Sequence, residues 1–173
     1  MGPEPFRWLA SVIAAHTGRR VVGRTRLQKT VRLLQRKGLP TGLSYSIHFY
    51  GPYSEGLNSE LGLLKQLGLV HEDLKANASG DQQYYVYTAA PEAALAEISG
   101  YQPLIALIEQ TKDVPLELAA TYDAFREMGS DHADALERLR QKKGSKCDPA
   151  NEAAALDLLR KLGLPAEPLA KTA

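Results

Sequence analysis

The sequence predicts an α+β chain, mainly helical, with its strands confined to the first half. Three observations carry this. Apolar residues recur at helical spacing along most of the chain. Alternation with a period of two appears in "LSYSIHFY" (43–50) and on both sides of the polar cluster "NASGD" (77–81). Beyond Pro91 only helical patterns remain, punctuated by capping residues.

Pro3 and Pro5 precede a first helix, with Phe6, Leu9, Val12 and Ile13 on one face as far as Gly18. "GRRVVGRT" (18–25) reads as a connector holding two glycines. Thr25 is expected to cap a second helix that stops at Gly38, ahead of Pro40. On a 3.6-residue wheel Leu27, Val31 and Leu34 share one side, and Lys29, Arg32 and Arg36 fall on the other. The expected helix therefore has a buried stripe and a cationic stripe facing away from it. Next, Tyr45, Ile47 and Phe49 alternate with Ser46, His48 and Tyr50, which predicts a short strand with one buried face. Gly51-Pro52 should end that strand, since proline has no ladder donor. Ser54 suits an N-cap and Glu55 the positive end of a third helix. Leu57, Leu61 and Leu64 form its buried stripe, and Gly68 stops it. A β-hairpin follows, with arms 69–74 and 82–88 around the "NASGD" turn. Helix, basic helix, strand, helix and polar-tipped hairpin is the order of a winged helix-turn-helix domain, placed at residues 1–90.

Residues 91–173 read as an all-α C-terminal extension. "PEAALAEIS" has Pro91 in its first turn. "PLIALIEQTKD" is short and apolar. "VPLELAATYDAFREMG" sets Leu118, Tyr122 and Phe125 on one face. "SDHADALERLRQKKG" runs from a polar cap to a cationic end. Asp148, Pro149 and Gly163 bound a last helix whose Leu156, Leu159 and Leu162 need a partner surface. A dimer or partner interface is the expectation there, and "LPAEPLAKTA" reads as a tail.

Charge is distributed unevenly. Residues 1–50 hold nine Lys and Arg against one acid, Glu4, while the rest of the chain is net acidic. A cationic segment of this kind points to a polyanion or an acidic protein partner. The competing reading is a solvated face neutralised by the acidic remainder. Cys147 is the single cysteine, so an internal disulfide and a cysteine-based zinc site are excluded, and a reducing cytoplasm is the expected compartment. No apolar run has the roughly 18–20 residues that span a bilayer. The N-terminus lacks a secretory pattern, and Phe6 stands where myristoylation wants Ser or Thr. His16, His48, His71 and His132 show no metal spacing. No phosphate-cradling glycine loop or nucleophile elbow is present. The expectation is a chain that is not an enzyme and needs no metal or cofactor.

The candidate nucleic-acid contacts are Arg19, Arg20, Arg24, Arg26, Lys29, Arg32 and Arg36, whose clustering suits counterion release from phosphates. Asn58 and Ser59, on the third helix, are the candidates for base edges. That helix carries no exposed arginine, and Glu55 repels phosphate, which counts against ordinary groove reading. Tyr45, His48, Tyr50 and Tyr53 form an aromatic-polar cluster able to line a small pocket.

"GRTRLQKTVRLLQRKG" (23–38) and "YSIHFYGPYSEGLNSELGLLKQLGLV" (45–70) resemble the YwgA-like group of bacterial and archaeal proteins. That group's pattern is a "kLQK" helix, then "YGPYS", then a helix ending in "GL". The order is also similar to the Panacea (SocA-like) antitoxin domain, where "KLQKLLY" precedes a "YGP" turn. The resemblance covers about the first 90 residues and implies a winged-helix-like domain, with little about chemistry. Its motif residues here are Arg26, Gln28, Lys29, Tyr50, Gly51, Pro52, Tyr53 and Ser54.

Together these features predict a winged-helix regulatory protein that binds DNA through its basic second helix and pairs as a homodimer. An antitoxin-like or adaptor module that binds protein and not nucleic acid is the alternative. A pocket around Tyr45, His48 and Tyr53 with Arg26 or Lys29 pointing in would favour a third role, small-molecule sensing or catalysis.

Overall fold

Helix α1 (Arg7–Ala14) forms where Leu9, Val12 and Ile13 recur at helical spacing, and it is enclosed on almost every side. The structure, a computed structural model, describes residues 7–94 and 96–167. Pro3, Pro5 and Phe6 of the expected first helix lie outside the described residues, as do residues 168–173 of the expected tail. The "GRRVVGRT" segment holds more than a connector. A short 3-10 turn (Thr17–Arg19) leads into strand β1 (Arg20–Val22), with Val21 turned into the core. Three residues are too few for alternation to stand out in a sequence.

β1 is one edge of an antiparallel sheet ordered β1-β5-β4, built with β4 (Val70–Ala76) and β5 (Gln83–Ala89). Arg20 lies opposite Thr88, and Val70 opposite Ala89. The Asn77 amide donates to the Gln82 carbonyl and closes the hairpin tip, where the sequence placed it. In chain order, helices α2 (Arg24–Arg36) and α3 (Glu55–Gln66) come between β1 and this hairpin. Ser54 caps α3 by accepting from the Leu57 amide, Leu57, Leu61 and Leu64 point inward, and Gly68 closes the end at φ 72°.

Between α2 and α3 sits a separate ribbon, β2 (Ser46–His48) against β3 (Gly51–Tyr53). Gly51-Pro52 therefore begins a second strand, with Pro52 opposite Ile47. Proline fits there because the two-stranded ribbon has open edges that need no donor. His48 faces Gly51, so Phe49 and Tyr50 form the two-residue loop. That is why Phe49 is 78% exposed and not on a buried strand face.

After β5 the expected helix at "PEAALAEIS" is replaced by a turn and a 3-10 segment (Ala96–Tyr101). Local carbonyls are taken by side chains from elsewhere: Arg19 donates to Ala90 and Ala93, and Ser11 to Ala94. Four α-helices follow among the described residues: α4 (Gln102–Glu109), α5 (Asp113–Glu127), α6 (His132–Lys143) and α7 (Pro149–Leu162). Asp131 and Asp148 cap α6 and α7 through the Asp134 and Asn151 amides, and left-handed Gly163 ends α7.

α5 is the centre of the second half. It is enclosed from Pro115 to Phe125 and packs against α2, β3, α6 and α7. The inward leucines of α7 are Leu158, Leu159 and Leu162, with Leu156 half-buried. Their partner surface is α5 of the same chain. One contiguous apolar cluster runs from Leu9 through Leu34 and Tyr122 to Leu162. No described helix is long and apolar enough to cross a membrane.

Candidate functional site

α2 opens at Gly23, with φ 99°, and not at Thr25. Every residue from Leu27 to Leu34 is buried, so the helix has no outward cationic stripe. α5 supplies the reason. Its Asp123 and Glu127, one turn apart, face α2 where the helical wheel alone leaves solvent. Arg36 Nε lies 2.8 Å from Asp123 Oδ2, and Arg32 Nη2 lies 2.8 Å from Glu127 Oε1. Arg36 also reaches Glu127, at 3.1 Å. Arg26 Nε is 2.7 Å from Asp113 Oδ1, and its Nη1 and Nη2 donate to the Ile108 and Thr111 carbonyls at the end of α4. Arg19 is spent on Ala90 and Ala93. Of the expected phosphate contacts, Arg20 and Arg24 are left exposed. Arg24 stacks on Tyr85, 4.4 Å from the ring centre, and donates to Tyr87 Oη.

Asn58 is turned inward too. Its amide donates to Tyr53 Oη, and its carbonyl oxygen lies 3.5 Å from Gln28 Nε2. Ser59 stays at the surface, with its hydroxyl on the Glu55 carbonyl at 3.3 Å.

The two sequence motifs meet in space. Gln28 Nε2 donates to the Ser54 carbonyl at 2.8 Å, and the Ser54 amide donates back to Gln28 Oε1 at 2.9 Å. One residue along, Lys29 Nζ donates to the Pro52 carbonyl at 2.6 Å. The side chains of "LQK" thus satisfy the backbone of "GPYS", which has no ladder partner on that side. Gln28→Leu leaves both buried Ser54 groups unpaired, and its expected cost is about 2–4 kcal/mol in urea denaturation.

Lys29 is 2% exposed and has no carboxylate within ion-pair distance among the described residues. Its charged neighbours are Lys143, Glu117 and Lys142. Lys143 Nζ lies 2.6 Å from Glu117 Oε1, and Lys146 Nζ 3.2 Å from Glu117 Oε2, so that carboxylate is already shared. Burial, reinforced by Lys143 and Lys142 and opposed by Glu117, brings the Lys29 pKa down from 10.5 to about 8. Between those values the unfolded chain holds a proton that the folded chain has released, so this group makes stability rise with pH. Subtracting the denaturation profile of Lys29→Met from that of the native chain between pH 7 and 10 should leave this rise. A flat difference would contradict the buried ammonium.

Above Lys29 lies a cavity of about 330 Å³ whose lining includes Arg24, Thr25, His48, Phe49, Tyr50 and Tyr53. His48 stacks on Tyr53 at 4.8 Å, Phe49 meets Tyr50 edge-on at 5.0 Å, and Lys146 lies 5.2 Å from the Tyr50 ring centre. A second cavity of the same size, toward Gln83–Tyr85 and Asp113, shares Arg24, Thr25, Lys29 and Tyr50 with the first. Tyr45 lines neither, and its ring is 5.5 Å from the Arg32 guanidinium. Glu117, Lys143 and Lys146 escaped the sequence reading, because only the packing of α5 and α6 brings them to Lys29. No group of three or more metal-ligating side chains occurs among the described residues.

No family model matches the chain. The uncharacterised protein YwgA of Bacillus subtilis (strain 168) is 39% identical over 64 residues, 37% of this chain and 38% of that protein. Over that stretch the chain is YwgA-like. The aligned stretch thus spans under two fifths of the length of YwgA.

Proposed function

We propose that the chain is a protein-interaction module of antitoxin or adaptor kind on a winged-helix scaffold, one that does not grip nucleic acid with its second helix. The observation that carries this is the pairing of Arg26, Arg32 and Arg36 with Asp113, Asp123 and Glu127. A phosphate contact needs a cation free to release counterions, and these guanidinium groups are already occupied. The winged-helix reading is supported by the order helix, strand, helix, helix, hairpin and by a sheet ordered β1-β5-β4. In this reading residues 1–90 are the winged helix, and the helices of 91–173 brace it through α5.

α3 is the element such a domain presents to a groove. Its outward side carries Leu63, with the C-cap Leu67 one turn on, both about half exposed, and its Lys65 is tied to Glu72 at 2.9 Å. An apolar stripe of that kind suits a protein groove better than a base edge. The single, half-buried Cys147 suits a reducing compartment. Titration of a labelled mixed-sequence duplex at low and at physiological salt should show no steep salt-dependent binding. A slope of several released counterions would overturn the proposal. A complex reconstituted with the product of a co-transcribed gene should be lost in the Leu63→Glu, Leu67→Glu chain at unchanged thermal midpoint.

A further inference from the structure

We propose that the cavity walled by Phe49, Tyr50 and Tyr53 binds a small organic monocarboxylate with a flat apolar body, its carboxylate taken by Lys29 and Arg24. This goes beyond the scaffold reading and does not depend on it.

Lys29, Lys143 and Lys146 gather around one carboxylate, Glu117, and Lys143 and Lys146 are the two that bond it. Lys29 is left with a backbone carbonyl as its partner, and an ammonium in that position lacks a counter-ion. A buried cation without a counter-ion is costly, and an anion entering the adjoining cavity offsets that cost. Arg24 extends the cationic edge. Tyr85 and Tyr87 brace it, and its terminal nitrogens have no acceptor among the described residues.

The walls set the class of anion. Stacked and edge-on rings at residues 48, 49, 50 and 53 offer flat apolar surface, and Phe49 stays 78% exposed although it is a large apolar group. Such walls suit a planar hydrocarbon body. A phosphate dianion wants several forked donors at once, and here one lysine and one arginine converge. A volume of about 330 Å³ is the size of a small ligand. The ribbon that carries these rings is anchored from behind, with Lys143 Nζ on the Phe49 carbonyl at 3.2 Å and Lys29 on Pro52.

Ligand-observed and amide NMR on the full chain test this with benzoate, inorganic phosphate and benzamide as probes. The expected result is millimolar or tighter benzoate binding, with amide shifts confined to 24–29 and 48–54. Benzamide and phosphate should bind at least about tenfold more weakly. Lys29→Met should abolish benzoate binding. Since that change is buried, Arg24→Gln and Phe49→Ala are measured beside it. Both sit at exposed positions and should weaken benzoate several-fold at unchanged thermal midpoint. The proposal is overturned by no benzoate shifts at 10 mM, by benzamide or phosphate binding as well as benzoate, or by the two surface variants binding like the native chain.

Discussion

Replacing Asp123 with asparagine is expected to destabilise the chain by about 3–5 kcal/mol at neutral pH, among the largest effects of any near-isosteric change. Asp123 is fully enclosed, and it accepts from Arg36 Nε at 2.8 Å with Arg32 Nη2 at 3.9 Å. Asparagine keeps the shape and loses the charge. Two guanidinium groups are then held against a neutral amide, one of them, Arg32, only 3% exposed. Glu127 remains as their partner, but it is half in solvent and compensates incompletely. Urea denaturation measures the loss. A change below about 1 kcal/mol would mean that the network acts as a solvated surface pair. Combining Asp123→Leu with Arg32→Met and Arg36→Leu should recover most of the loss, because removing a whole buried ion set costs far less than removing one member. Recovery would also separate packing from charge, since the triple variant keeps the volume between α2 and α5.

This network is where sequence reasoning met its limit. A helical wheel gives the angle between Leu27 and Lys29, and it does not say what lies opposite either. The acids that claim Arg32 and Arg36 are roughly 90 residues away, on a helix whose other positions read as core. Asp123 inside the buried run 115–125, with Glu127 one turn further on, was the available signal. An acid on an interior face needs a cation, and α2 held a surplus. Lys29 shows the same limit, for its surroundings come from α5, α6 and the Gly-Pro ribbon together. By contrast Ser54, Asp148 and Gly163 act on their immediate neighbours, so the ends of α3 and α7 were legible from local chemistry. The ribbon was half legible. Alternation marked β2, but the two-residue loop that puts Phe49 outside depends on the register between His48 and Gly51.

Gly51→Ala carries the second large effect, a loss of about 2–5 kcal/mol. The residue has φ 97°, a conformation that costs an L side chain about 1–2 kcal/mol. Space adds more. A Cβ at this position would stand 2.3 Å from Thr121 Oγ1, a side chain enclosed on α5. Thr121 is not free to turn aside, because its hydroxyl donates to the Glu117 carbonyl at 2.8 Å. The ribbon must then lift from α5, which pulls the Pro52 carbonyl away from Lys29 and reshapes the floor of the cavity. Adding Thr121→Ala separates the two contributions. Without Oγ1 the nearest atom is the Cβ of residue 121 at 3.5 Å, an ordinary contact, so the double variant should regain the packing part and keep the backbone strain. A coupling of about 1–3 kcal/mol between the two changes is expected from denaturation midpoints. Strict additivity would mean that the turn does not rest on α5, and the close approach that fixes Lys29 beneath the ribbon would lose its basis.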